Sequence, residues 1–107
     1  MRLPPALAAS ATPRILELLG APPARVLELG FAGIHAEPLR LAGFDVVVVE
    51  PDPHHLDRAR QRAGAALAAL PDADFDAAVA PDDTDLTGVR AARVLLVARD
   101  GSVVEQR

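Results

Sequence analysis

Residues 26–51, VLELGFAGIHAEPLRLAGFDVVVVEP, decide the fold. Val26, Leu27 and Leu29 form a compact apolar run that is too short for a helix and is stopped by Gly30, which predicts a strand. After Gly30-Phe31-Ala32-Gly33 the segment from Ile34 to Ala42 has room for about two helical turns. Pro38 is tolerated there if the helix starts near His35, which leaves the ring in the first turn. Gly43 closes the segment. The four consecutive valines of FDVVVVE then predict a second strand, because a β-branched run without polar alternation is typical of a parallel strand covered on both faces.

The flanking segments extend this alternation. Thr12–Leu19 has a helical pattern, with Thr12 as a cap and Pro13 at the first helical position, and Pro22-Pro23 forces an extended approach to the first strand. Asp52 stands where an N-cap belongs and Pro53 follows at the first position. Leu56, Ala59, Ala63, Ala66, Leu67 and Leu70 then recur at helical spacing, so a long helix is expected to run to Pro71. DFDAAVA and ARVLLVA read as the third and fourth strands, joined by the polar PDDTDLTGVRA. Asp100-Gly101 predicts a tight hairpin before a short edge strand. Together these imply an α/β fold: a minimal doubly wound, mostly parallel sheet of order 2-1-3-4-5, its last strand antiparallel, with helices on both faces. In such sheets ligands bind beyond the carboxyl ends of the strands where the order reverses, here between the first and third strands.

Composition limits the partners. The 107 residues are 50% hydrophobic and 24% charged, which fits a single domain over 1–107 with one core. Residues 1–11 are expected to be loosely ordered. With 15 acidic residues against 11 basic ones, every one an arginine, the net charge of −4 argues against a nucleic-acid partner. The lack of cysteine removes disulfides, thiolate metal sites and cysteine nucleophiles together. MRLPPALAASA resembles a signal peptide only superficially, since Pro4 and Pro5 break its short apolar stretch, and no run approaches a membrane span. The expectation is a soluble, cytoplasmic domain with no membrane association.

The glycine turn carries the functional argument. Glycines at the end of a first parallel strand let the backbone bend sharply and approach a ligand, while the next helix presents unpaired N–H groups. An acid ending the second strand, here Glu50, is placed to accept ribose hydroxyls, and its spacing from Gly30 suits an adenosine-containing ligand. RVLELG followed by LAGFDVVVVEPDPHHLDRARQRA resembles the opening half of the class I S-adenosylmethionine-dependent methyltransferases over residues 24–63, with further support from DADFDAAVAP. The resemblance implies S-adenosylmethionine as cofactor. By it, Glu28 and Gly30 approach the methionine moiety, Phe31, Ala32 and Gly33 line the turn, Glu50 holds the ribose, and Pro81 with Asp82 borders the pocket. The chain departs from the family at two points. Ala32 stands where alternate glycines are usual, and the third strand, whose loop normally carries an acid for the adenine amino group, is not found in the sequence.

Other groups have simpler explanations. His35 lies beside the expected pocket and is the best acid–base candidate, but a helix-end histidine is its ordinary role, and no catalytic residue is assigned. His54 and His55 point about 100° apart on a helix and do not converge on a metal. Asp82, Asp83 and Asp85 form an acidic loop in which Mg²⁺ or a phosphoacceptor role is conceivable; no metal site is assigned. Nicotinamide binding fits less well, because position 32 is alanine and position 35 histidine where the dinucleotide motif requires glycine. The rival from another class is a non-catalytic α/β scaffold. The all-valine strand at an uncovered sheet edge would make it a homodimer through Asp45 to Glu50.

Overall fold

The computed structural model describes residues 9–106; residues 1–8, most of the signal-like stretch and most of the segment expected to be loosely ordered, lie outside the described residues. Five strands, β1 (Arg25–Leu29), β2 (Asp45–Val49), β3 (Phe75–Pro81), β4 (Ala91–Val97) and β5 (Val103–Gln106), form one sheet of order β2-β1-β3-β4-β5. The first three pairings are parallel and β4–β5 is antiparallel, as the sequence pattern predicts. Asp100 accepts hydrogen bonds from the Ser102 amide and hydroxyl at the hairpin, and Gly101 takes a φ of +87° there.

Three helices are described: α1 (Thr12–Leu19), α2 (Ala36–Leu41) and α3 (Pro53–Ala63). Ala11 rather than Thr12 occupies the cap position of α1, which frees the Thr12 hydroxyl for a tertiary contact. Asp52 caps α3 as expected, accepting from the His54 amide at 2.9 Å. That helix is shorter than its periodicity suggests. It stops at Gly64, whose φ of +81° is natural for glycine alone, and the alanines beyond it do not continue the helix.

The path of the chain after Gly64 corrects two expectations at once. Leu67 leaves the helical path and forms a parallel bridge with Val49 on the outer edge of β2. Its amide donates to the Val48 carbonyl and its carbonyl accepts from the Glu50 amide, both at 2.9 Å. Leu67 thus extends the sheet edge by a single residue. The chain then crosses beneath the sheet through residues 68–74 to reach β3. Handedness explains the layout. Both α2 and α3 lead outward, from β1 to β2 and from β2 to Leu67, and right-handed crossovers in one direction put both on the same face.

All three described helices therefore contribute to one core cluster, with Ile15, Leu39 and Ala59 against Val26, Val48, Val79 and Leu95. The opposite face buries Leu27, Leu29, Val49, Phe75, Ala78 and Ala80 under Leu70, Leu86 and Val89, which lie outside the helices. Helices on both faces were expected; among the described residues the second face is covered by connecting segments.

The β2 edge is also occupied more fully than its valines suggest. Arg40 donates to the Val46 carbonyl at 3.0 Å and to the Ala63 carbonyl at 2.5 Å, tying α2 to β2 and to the end of α3. Between Arg40 and Leu67 the outward carbonyls of Val46 and Val48 are engaged within the chain. Arg40→Ala should expose that edge. Light scattering should show greater self-association for the variant than for the parent at equal concentration, and chemical denaturation a stability loss of about 1–2 kcal/mol.

Candidate functional site

The residues singled out in the sequence meet where the strand order reverses, but they divide into a lining set and a supporting set. Gly30, Glu50 and Pro81 line a cleft of about 270 Å³, together with Pro51, Asp52, Asp83 and Thr84. A second cavity of about 340 Å³ shares Gly30, Pro51 and Thr84 with the first, and its walls are Leu29, Val49, Ala68, Ala69, Leu70 and Asp85. Asp82, expected at the border, is exposed beside the cleft, its amide donating to the Val97 carbonyl at 3.0 Å.

The supporting set lies beneath the turn. Phe31 and Ala32 are buried in the helix-side core, the ring of Phe31 meeting His35 edge-on at 4.6 Å between centroids. The crevice is therefore not plugged by Phe31, which points the other way. Ala32 adopts a φ of +52°, a left-handed conformation ordinarily costing a non-glycine residue about 1–2 kcal/mol. Two contacts hold it there: its amide donates to Glu50 Oε1 at 3.0 Å, and its carbonyl accepts from Arg62 of α3 at 3.3 Å. Nothing in the polar face of α3 as a sequence signals that Arg62 would reach the turn.

Gly33 serves packing and does not line the cleft. A Cβ there would stand 3.1 Å from the Ala59 carbonyl oxygen and 3.3 Å from the Ala63 methyl, so α3 rests directly on the turn backbone. At Gly30 the nearest atom would be Pro81 Cδ at an ordinary 3.5 Å. Both glycines have φ near +80°.

Glu50 is fully buried and accepts on both oxygens, from the Ala32 amide at 3.0 Å and the Asp52 amide at 3.1 Å. The acid read as the ribose ligand thus joins the glycine turn to the start of α3. Glu28, one strand inward, is also fully buried. Its Oε2 accepts from the His35 amide at 2.5 Å, while Oε1 has no hydrogen-bond partner. Desolvation pushes the Glu28 carboxyl up to about 7, against the lowering effects of the His35 amide and Arg40. His35 shares a 2.7 Å hydrogen bond through Nδ1 with Thr12 Oγ1, and its Nε2 is unpartnered. Burial lowers its pKa to about 4. The best acid–base candidate of the sequence is thus a neutral core residue under the turn, and it does not line the cleft.

The cleft carries carboxylates and no cationic side chain among its lining residues. That arrangement suits hydroxyl and amino donors or a cationic centre and opposes a phosphate. His55 stands 3.5 Å from Asp52 beside it, and among the described residues no three His, Asp or Glu side chains are grouped to hold a metal. No described helix is long and apolar enough to cross a membrane.

No protein-family model matches the chain, and no curated protein matches it significantly. Among solved structures, the chain is similar to a TehB-like SAM-dependent methyltransferase from Corynebacterium glutamicum. The match has 26% identity and a TM-score of 0.49, and it covers 66% of this chain and 42% of that one. It is also similar to WbdD, with 22% identity and a TM-score of 0.38, over 72% of this chain and 19% of that one. The chain therefore spans less than half the length of either.

The turn geometry sets the cost of filling each glycine. Gly30→Ala should cost about 1–2 kcal/mol of stability through its positive φ. Gly33→Ala should cost more, because overpacking against α3 adds about 1–3 kcal/mol; urea denaturation of both variants gives the comparison. The buried acid sets a pH dependence. A carboxyl raised from 4.5 to about 7 on folding contributes stability that is fully present below pH 4.5 and is lost as pH rises through 7. Glu28→Gln removes that dependence. Its stability relative to the parent should therefore improve between pH 4.5 and 8, by on the order of 2–3 kcal/mol, in denaturation curves at matched salt. His35 acts in the opposite sense in the parent, since its lowering from 6.5 to about 4 removes stability as pH falls through that window.

Proposed function

We propose that this chain is a minimal methyltransferase-like domain that binds S-adenosylmethionine or a related adenosine ligand in the cleft between Gly30 and Pro81, Glu50 taking the ribose. The observation that carries the reading is the direct bond between the Glu50 carboxylate and the Ala32 amide. It puts a buried carboxylate and a backbone corner side by side at the reversal point of a parallel sheet, the region where such sheets bind ligands. A carboxylate offers about four acceptor directions, and the Ala32 and Asp52 amides fix its orientation toward the cleft it lines.

The lining carboxylates favour the same ligand. A sulfonium and an amino acid ammonium are cations, and the cleft presents Glu50, Asp52 and Asp83 without an arginine or histidine. A dinucleotide would bring a pyrophosphate onto these acids, and no G-x-G-x-x-G turn is available to cradle it. Methyl transfer needs little from the protein beyond holding the sulfonium methyl in line with a nucleophile. The proposal extends to binding and positioning of the ligand.

Isothermal titration with S-adenosylmethionine and S-adenosylhomocysteine tests the reading. Saturable heat at or below millimolar ligand is expected, with affinity falling at least about tenfold in Glu50→Gln, which withdraws a charged acceptor. Thr84→Trp, at a half-buried position shared by both cavities, should abolish the heat while leaving circular dichroism unchanged. An absence of heat from the parent chain with both ligands defeats the proposal.

A further inference from the structure

All seven glycines of the chain have a positive φ, and among the described residues Ala32 is the one other residue that does. At each glycine the sequence supplies the residue that takes this conformation at no steric cost. At the turn beside the cleft it supplies alanine. An L side chain persists in this region only where its surroundings over-determine it, so the contacts around Ala32 decide the shape of the turn.

The Ala32 methyl is buried in the helix-side core. Its amide donates to Glu50 Oε1 at 3.0 Å, and its carbonyl accepts from Arg62 Nη1 at 3.3 Å. These two partners face different parts of the molecule. Glu50 lines the cleft. Arg62 belongs to α3 and is absent from the walls of both cavities; it borders a separate groove of about 690 Å³ with Glu37, Leu41 and Gln61. Its stem lies over the turn, since a Cβ on Gly33 would stand 3.4 Å from Arg62 Cβ, and the guanidinium therefore reaches Ala32 from a fixed base.

We infer that Arg62 is a positioning residue for the cleft: by holding the Ala32 carbonyl it keeps the turn left-handed, and the left-handed turn keeps the Ala32 amide on the Glu50 carboxylate. Its effect on a ligand rests on the proposed binding of an adenosine ligand at Glu50. With the guanidinium withdrawn, Ala32 gains by rotating toward a negative φ. That rotation reorients the turn and leaves Glu50 to the Asp52 amide. A glycine has no such gain, so the need for Arg62 comes from the alanine.

The test is a double-mutant cycle between Arg62→Met and Ala32→Gly in the full chain. Methionine keeps an apolar stem over Gly33 and removes the donors. In isothermal titration with S-adenosylmethionine, Arg62→Met should bind about fivefold more weakly, the effect of losing one hydrogen bond. Loss of a cation by itself would favour a cationic ligand, so the sign separates positioning from charge. Ala32→Gly alone, and the combined variant, should both lie within about twofold of the parent, because the two sites act as one unit. Arg62→Lys, which keeps a donor, should fall between the parent and Arg62→Met. Amide hydrogen exchange at position 32 reads the same link without ligand: relative to the amides of β1, protection should fall in Arg62→Met and return in the combined variant. Unchanged exchange in Arg62→Met, or a loss of affinity that Ala32→Gly does not restore, overturns the inference while leaving adenosine binding intact. An absence of heat from the parent defeats the binding proposal and with it the effect on affinity, while the exchange result still upholds or refutes the link from Arg62 through Ala32.

Discussion

Two buried carboxylates under one backbone corner organise this molecule. Glu50 accepts from Ala32 and Asp52, and Glu28 accepts from His35, so amides from the turn, the following helix and the start of α3 converge on two side chains of adjacent strands. Burying carboxylates is costly, and charge-assisted hydrogen bonds from fixed amides are what offset it. The result is a turn whose left-handed Ala32 is held by contacts on both its amide and its carbonyl, with α3 resting directly on Gly33. The cleft beside Gly30 takes its shape from that corner.

The two acids differ in what they can do. Glu50 has both oxygens satisfied and lies at the cleft wall, while Glu28 keeps one oxygen unpartnered in the core and shares its surroundings with a neutral histidine. A carboxyl displaced upward and an imidazole displaced downward, both by desolvation, make the interior under the turn less charged than its composition implies. Its role is support. The cleft is lined by Gly30 of the turn, by Glu50, and by residues of the loop that ends with Arg90.

Economy of chain length shows most clearly at the β2 edge. On its outer side β2 meets Leu67, which bonds the Val48 carbonyl and the Glu50 amide, and Arg40, which donates to the Val46 carbonyl. Leu67 meets this edge through one bridge. It directs residues 68–74 beneath the sheet, where Leu70 becomes both a core residue and a wall of the cavity.

The sequence by itself determined the strands, their order and the reversal point. An all-valine run, a proline-guarded strand start and a helix-capping Asp52-Pro53 pair are local signals whose physics needs no partner. It also located Gly30, Glu50 and Pro81 at the cleft, because strand ends in a parallel sheet share one rim. It misplaced the end of α3, since alanines at helical spacing favour a helix equally whether or not Gly64 turns the chain away, and that error concealed Leu67 and put the second face under a helix. Which side of the turn Phe31, Ala32 and Gly33 occupy, the burial of His35, and the reach of Arg40, Arg62 and Asp85 were decided only by the tertiary structure. Those outcomes depend on contacts between segments far apart in the chain, and periodicity carries no record of what a side chain meets across that distance.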